Sequence, residues 1–396
     1  MRCLTRLPVV QETMFSMETA FAISGNLSYA DRLERLAYNA LPAALWPDIT
    51  ANVYLQMTNM IMAKDATDYP YWPHDGPKST IYGLHRCCTS NFNRALARSL
   101  APAVSRADLS LTCRPWLCAA EGWPKFTQSI VQRAPGGGLA VVVYAPANAS
   151  DPTVGGGAHV SITTDYPFSD VIELRVASAR PFPLHLHIPA WVEGATVSVD
   201  EAPAEQATPG SFFTTTVGPI SVVVLTMQNE IRVETGYNDS SVSVHRGPLL
   251  FAMDIGAHPH FFVAVPPSRR RQLVHAGNDY SVVNRTDGGS PPGMDRFQEY
   301  EVSATKPWNV ALDASAGALQ FVGMDGPLAA KQPFSPDAAP VHIKARGRLL
   351  PGWQMDNYSA SPPPQSPVQS TEPWQDLVFL PFGSTNIRMA QLPTLG

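Results

Sequence analysis

Charge is scarce in this chain of 396 residues: Asp, Glu, Lys and Arg make up 15% of it, and the formal net charge is -5. Recognition of a nucleic acid or an anionic membrane runs on clustered Lys and Arg, so both partner classes are excluded. The one basic cluster, Arg269-Arg270-Arg271, is flanked by Pro and Ser and reads as a solvated turn. Long apolar runs are missing too, and none approaches the ~20 residues needed to span a bilayer. The opening residues Met1 to Arg6 are basic without a sustained apolar stretch, so the pattern of a secretory signal is absent there. No internal repeat is evident. Cysteine is rare, with five in the chain.

What is abundant is proline, at 38 residues, which with the low charge makes a strand-and-turn composition over most of the length. A chain of this size folds as two or three domains with substantial cores. Five sequons, at Asn26, Asn148, Asn238, Asn284 and Asn357, permit glycosylation in a secreted protein.

Two of the five cysteines are neighbours, in His85-Arg86-Cys87-Cys88-Thr89-Ser90-Asn91. Adjacent residues reach disulfide geometry only with strain, so the pair reads as thiols. Thiolates are good zinc ligands, and a bound zinc deprotonates the sulfur it touches. One cysteine would then anchor the ion while the other serves as a nucleophile. The competing reading is two small buried hydrophobes, since free cysteine is among the most buried residue types. Spacing alone does not separate them, because the pair lacks a C-x-x-C signature.

Along the chain, residues 12 to 24 place Met14, Met17 and Phe21 on one helical face, with Gly25-Asn26 as a stop. Ser28 then reads as the N-cap of a second helix whose apolar stripe is Tyr29, Leu33, Leu36, Ala37 and Ala40. The two form an αα-hairpin whose apolar face calls for further helices. From Pro42 to Gly83 the pattern is irregular, and Tyr54, Gln56, Asn59, Tyr69, Tyr71, Trp72 and His74 suit either a core or a sugar-facing cleft. Residues 94 to 121 differ in composition from their surroundings and carry Cys113 and Cys118. From Phe126 the period changes to two: 139–144, 171–178, 184–188 and 220–225 read as strands bounded by Pro, Gly and Asp, which argues an antiparallel sandwich. His185 and His187 share one strand face, where they would either grip a metal or line the solvated side of the sheet. The segment 241–255 closes this region, and a loop holds His258 and His260. A second strand-rich region covers roughly 298 to 393, led by Trp308 to Leu312, Val341 to Ala345 and Leu377 to Pro381, with a surface loop at Ser359 to Pro373.

The motifs Glu12-Thr13-Met14-Phe15-Ser16, Tyr29-Ala30-Asp31-Arg32, Tyr38-Asn39-Ala40-Leu41-Pro42, Cys87-Cys88-Thr89-x-Asn91, Gly122-Trp123-Pro124-Lys125-Phe126, Tyr166-Pro167-Phe168-Ser169-Asp170, Ile188-Pro189-Ala190-Trp191, Arg246-Gly247-Pro248-Leu249, Trp308-Asn309 and Leu380-Pro381-Phe382-Gly383-Ser384-Thr385 occur in this order. As a set they resemble glycoside hydrolase family 127, the β-L-arabinofuranosidases and their relatives, with the fungal-type branch nearest in character. The resemblance implies a multidomain α and β fold: a partial (α/α)6 barrel in 1–125, then two antiparallel β-sandwich domains in 126–256 and 257–396. It implies a zinc-dependent retaining glycosidase acting on an arabinofuranoside-type carbohydrate, in which a cysteine attacks the anomeric carbon. By motif position Cys87 matches the nucleophile and Cys88 a zinc ligand, with Cys87, Cys88 and Cys3 as the metal set.

The chain departs from the family pattern at three places. A Glu-x-Cys pair expected before the first helix is replaced by Met1 to Pro8, where Cys3 stands as a displaced remnant without the glutamate. The family's general acid lies earlier still and has no counterpart here. Residues 94–121 interrupt the run into Gly122-Trp123, and with the abrupt start they read as an aberrant insertion and a lost 5′ end of a gene model. The expectation is therefore an N-terminally truncated glycosidase, inactive as it stands. The alternative is a non-catalytic carbohydrate-binding or structural β-sandwich protein without zinc. Sugar and linkage, oligomeric state and compartment stay open, the adjacent thiols favouring a reducing interior and the sequons a secreted protein.

Overall fold

The computed structural model describes residues 5–45, 51–53, 55–63, 79–81, 123–236, 240–256, 263–264, 271–276, 279–284, 300–328, 332–356 and 359–396. These are mostly β-sheet with few helices.

Helix α1, Leu7–Ser24, ends where Gly25 turns to a φ of 66° and donates its N–H to the Phe21 carbonyl at 2.7 Å. A side chain at that φ would clash with the backbone, which is why glycine stands there. Helix α2, Leu27–Arg35, follows without delay. Its cap is Asn26 rather than the expected Ser28: Asn26 Oδ1 accepts the Ser28 N–H at 3.0 Å. The tight Gly25 turn puts the extended residue two positions earlier than the hydroxyl that sequence alone favours.

α2 then widens into a π-helical turn, Leu36–Ala40, and closes with Leu41–Ala43. Pro42 has no N–H to give to the Tyr38 carbonyl, so the regular ladder cannot continue through this point. The hairpin buries Val10, Met14, Phe21, Ala30, Leu33, Ala37, Tyr38 and Leu41.

A six-stranded sheet runs in the order Glu205–Ala207, Gly194–Val199, Ile220–Gln228, Val171–Ala177, Ala158–Thr163, Ala147–Asp151, with every neighbour antiparallel. A four-stranded sheet has the order Ser211–Val217, Phe182–Ile188, Gly138–Val141, Val131–Ala134. One of its pairs, Gly138–Val141 with Phe182–Ile188, is parallel, where the sequence pattern suggested antiparallel strands throughout. The chain leaves after Val141, builds three strands of the other sheet, and re-enters in its original direction. Alternation buries Ile172, Leu174 and Val176 of one sheet and Leu184, Leu186 and Ile188 of the other, each worth about 1.5–3 kcal/mol.

Most of the remaining strands join an eleven-stranded sheet among the described residues, and the others form a five-stranded sheet and two two-stranded ones. His342–Leu349 and Trp374–Pro381 form its longest pairing, and Leu249–Met253 adds to Trp374–Pro381. The short strands Arg388–Met389 and Asn59–Met60 continue it. One apolar core runs from the hairpin through the six-, four- and eleven-stranded sheets.

Candidate functional site

Cys3, Cys87 and Cys88 lie outside the described residues, as do Tyr54, Tyr69, Tyr71, Trp72, His74, His258, His260, the sequons at Asn238 and Asn357 and the whole of 94–121. The nearest described strand before the cysteine pair, Ser79–Ile81, hydrogen-bonds to Ala51–Val53 and meets Tyr300. Among the described residues no group of three or more His, Cys, Asp and Glu side chains is placed to hold a metal.

His185 and His187 do share one face of Phe182–Ile188, and His185 is half-buried, but at His187 that face is not solvated. Helix α2 lies against it, and His187 is fully buried. Its Nδ1 sits 2.8 Å from the Val142 carbonyl, and its Nε2 sits 3.3 Å from Asp31 Oδ1. His185 instead meets Thr214 Oγ1 at 2.8 Å.

Beside this pair, Glu34 is fully buried. Its Oε1 accepts the Tyr144 N–H at 2.7 Å and its Oε2 accepts the Tyr166 O–H at 2.5 Å. Burial pushes the Glu34 carboxyl up to about 7, against the two hydrogen bonds and the nearby His187. Burial next to Glu34 also pushes the Tyr38, Tyr144 and Tyr166 phenols well up, so all three stay protonated donors. The Tyr38 O–H donates to the Tyr144 carbonyl, and the Tyr144 O–H donates to the His187 carbonyl at 2.5 Å.

The contacts around this cluster come from the motifs that carried the resemblance. Tyr38 packs edge-on against Trp123, Phe126 and Tyr166, with ring centres 5.6–6.0 Å apart. Asn39 donates to the Pro248 carbonyl at 2.8 Å and accepts the Leu250 N–H at 2.8 Å. Asp170 pairs with Arg246 at 2.5 Å and accepts from Asn229 at 3.0 Å. At Gly383 a Cβ would lie 2.7 Å from Pro42 Cγ and 3.0 Å from the Tyr38 carbonyl. These residues join the hairpin to the sheets. The arrangement is closed, so its chemistry is to hold parts together and to hold protons. Glu34 went unnoticed in the sequence, although Ala30, Glu34, Ala37 and Leu41 fall at the spacing of one buried helical face.

The comparisons bear on the same region. Residues 138–218 match the family model described as "Beta-L-arabinofuranosidase, GH127 middle domain". No curated protein matches the chain. Among solved structures it resembles a GH127 β-L-arabinofuranosidase from Geobacillus stearothermophilus T6, at 14% identity and a TM-score of 0.55, over 98% of this chain and 50% of that one. It also resembles a GH127 β-arabinofuranosidase at 14% identity and a TM-score of 0.58, over 98% and 49%. A further glycoside hydrolase matches at 15% and 0.57, over 99% and 52%. At these identities the likeness is one of fold, and the chain spans about half the length of each of these structures.

Proposed function

We propose that this chain is part of a glycoside hydrolase that cleaves arabinofuranoside-type substrates with a cysteine nucleophile. The observation that carries the reading is the GH127 middle domain at 138–218, set in a chain whose fold follows GH127 enzymes over nearly its whole length. In this reading the hairpin α1–α2 is the last portion of an (α/α)6 barrel, and the sheets after it form two sandwiches.

Cys87 would attack the anomeric carbon, forming a C–S bond as the glycosidic C–O bond breaks, while a carboxylic acid delivers a proton to the leaving oxygen. Water then cleaves the thioglycosyl bond with overall retention, so one thiolate takes the place of the second carboxylate of ordinary retaining glycosidases. Three thiols suit zinc as a donor set, with Cys87, Cys88 and Cys3 as its ligands in this proposal. Bound there, zinc would keep the attacking sulfur ionised. The general acid has no candidate in the sequence, so residues 1–396 by themselves are proposed to bind zinc and sugar without turnover.

Elemental analysis and an aryl β-L-arabinofuranoside test this reading. The expected result is about one zinc per chain, lost in Cys88→Ser, with no release of the aryl group. A chain without stoichiometric zinc that still binds saccharide would favour the non-catalytic sandwich reading. In a full-length version of the enzyme, turnover that persists in Cys87→Ala would remove the nucleophile.

A further inference from the structure

The hairpin–sheet junction encloses ionisable groups for which the proposed reaction has no use. Glu34 and His187 are fully buried, and the Asp31 side chain is 15% exposed. The Val142 carbonyl can only accept, so the His187 Nδ1 that faces it at 2.8 Å carries a hydrogen. A neutral ring in that tautomer presents the Nε2 lone pair to Asp31 Oδ1 at 3.3 Å, one acceptor against another. A proton on either atom turns that conflict into a hydrogen bond or an ion pair. Glu34 is held by the Tyr144 N–H and the Tyr166 O–H. The charged and titratable groups turned toward it are Asp31 from its own helix, Tyr38 from the π-turn, Tyr144 and Tyr166 from the sheet side, and His187 from Phe182–Ile188.

We propose that Asp31, Glu34 and His187 form one buried proton-holding site that couples docking of the hairpin on the sheet to pH. The junction is tight when Glu34 keeps its proton, because the closed interior then gains no negative charge from it. It loosens when Glu34 releases its proton to water and leaves an uncompensated negative charge in a closed interior.

The carboxyl of Glu34, raised to about 7, sets the range. A group whose folded value is raised contributes stability that is complete below its ordinary value of 4.5 and is lost as pH rises to about 7. Across that window the unfolding constant rises by up to about tenfold per pH unit through this group alone.

Urea unfolding of the whole chain between about pH 5 and 8, wild type against Glu34→Gln, tests the proposal. Gln keeps an acceptor for the Tyr144 N–H and has no proton to lose. The expected result is a wild-type unfolding constant that climbs relative to the variant up to pH about 7 and then runs parallel to it. Hydrogen exchange at the α2 amides, corrected for intrinsic rates, should lose at least about tenfold protection over the same range in the wild type alone. Equal pH slopes in the two proteins would overturn the proposal. Should Glu34→Gln fail to fold, infrared spectra of protein labelled with carboxyl-13C glutamate replace it. A protonated carboxyl that vanishes near neutrality, at a higher pH in Tyr166→Phe, supports the site, and glutamates already fully ionised at about pH 6 refute it.

Discussion

Arg388 is the largest fully buried side chain among the described residues, and no carboxylate is among the groups it bonds. Its guanidinium donates to the carbonyls of Thr385, Asn386, Ala43 and Met57 and to Thr385 Oγ1, and it lies 4.2 Å from the Phe382 ring centre. Burial pulls it down to about 9, which still leaves it cationic at neutral pH. Several oriented carbonyl dipoles stand in for a counterion, and the five-donor fork of arginine is what reaches them all. Arg388→Met removes every donor; the Ala43 carbonyl keeps the Asn386 amide at 3.3 Å, while the carbonyls of Thr385, Asn386 and Met57 lose this partner, at about 1–3 kcal/mol for each group that finds no water. The expected outcome is a loss of at least about 3 kcal/mol in urea unfolding. Arg388→Lys should recover only part of it, because three donors on one nitrogen cannot span acceptors from residues 43, 57 and 386. A lysine variant as stable as wild type would show that the charge alone matters here.

The hairpin and the turn Phe382–Ser384 meet with no room to spare. Gly383→Ala places a methyl group 2.7 Å from both Pro42 Cγ and Phe334 Cδ1, contacts that ordinary carbon atoms do not make. Neither the proline ring nor a packed phenylalanine yields cheaply, so a loss of about 1–3 kcal/mol is expected. Asn39→Ala should cost about 2–3 kcal/mol, since it leaves the Leu250 N–H without its 2.8 Å acceptor and the Pro248 carbonyl without its donor. Thermal unfolding of each variant checks these values, and a neutral Asn39→Ala would mean that water replaces the amide.

Elements of this kind were only partly legible in the sequence. The period of Ile172, Leu174 and Val176 announces a strand with one buried face, and Met14 and Phe21 announce the first helix, because local geometry alone sets those patterns. The set of motifs that suggested the family holds, in the structure, the residues of the joint: Tyr38, Asn39, Trp123, Phe126, Tyr166, Asp170, Arg246 and Gly383. His187 was read as either a metal ligand or a solvated side chain because period two tells which face a side chain takes and says nothing of what later packs on that face. Asp31 and Glu34, more than 150 residues away in the chain, supply that cover. Arg388 was unreadable for the same reason, since its acceptors come from both ends of the protein. The proposed catalytic residues Cys87 and Cys88 rest on the motif alone.

At the scale of the whole molecule, the segment 138–218 that matches the GH127 middle-domain model is not a complete folding unit. The central strand Ile220–Gln228 begins two residues after it. That strand lies between Val171–Ala177 and Gly194–Val199, paired with both along its length. Without it the six-stranded sheet falls into two pieces with unpaired inner edges. Burial of Val223, Leu225 and Met227 is lost as well, at about 1.5–3 kcal/mol each. The sum, roughly 5–9 kcal/mol, is comparable with the whole net stability of a typical domain, about 5–15 kcal/mol. The matching strand on the other side, Val131–Ala134, is cut off too, which exposes the edge of Gly138–Val141. Expressed alone, 138–218 is therefore expected to be unfolded. A fragment 123–229 restores the central strand, the edge strand and Phe126, and should give dispersed amide resonances and a cooperative urea transition. Dispersed resonances from 138–218 by itself would show that the two pieces of sheet hold together without their central strand, and the account of this core given by its strand order would be wrong.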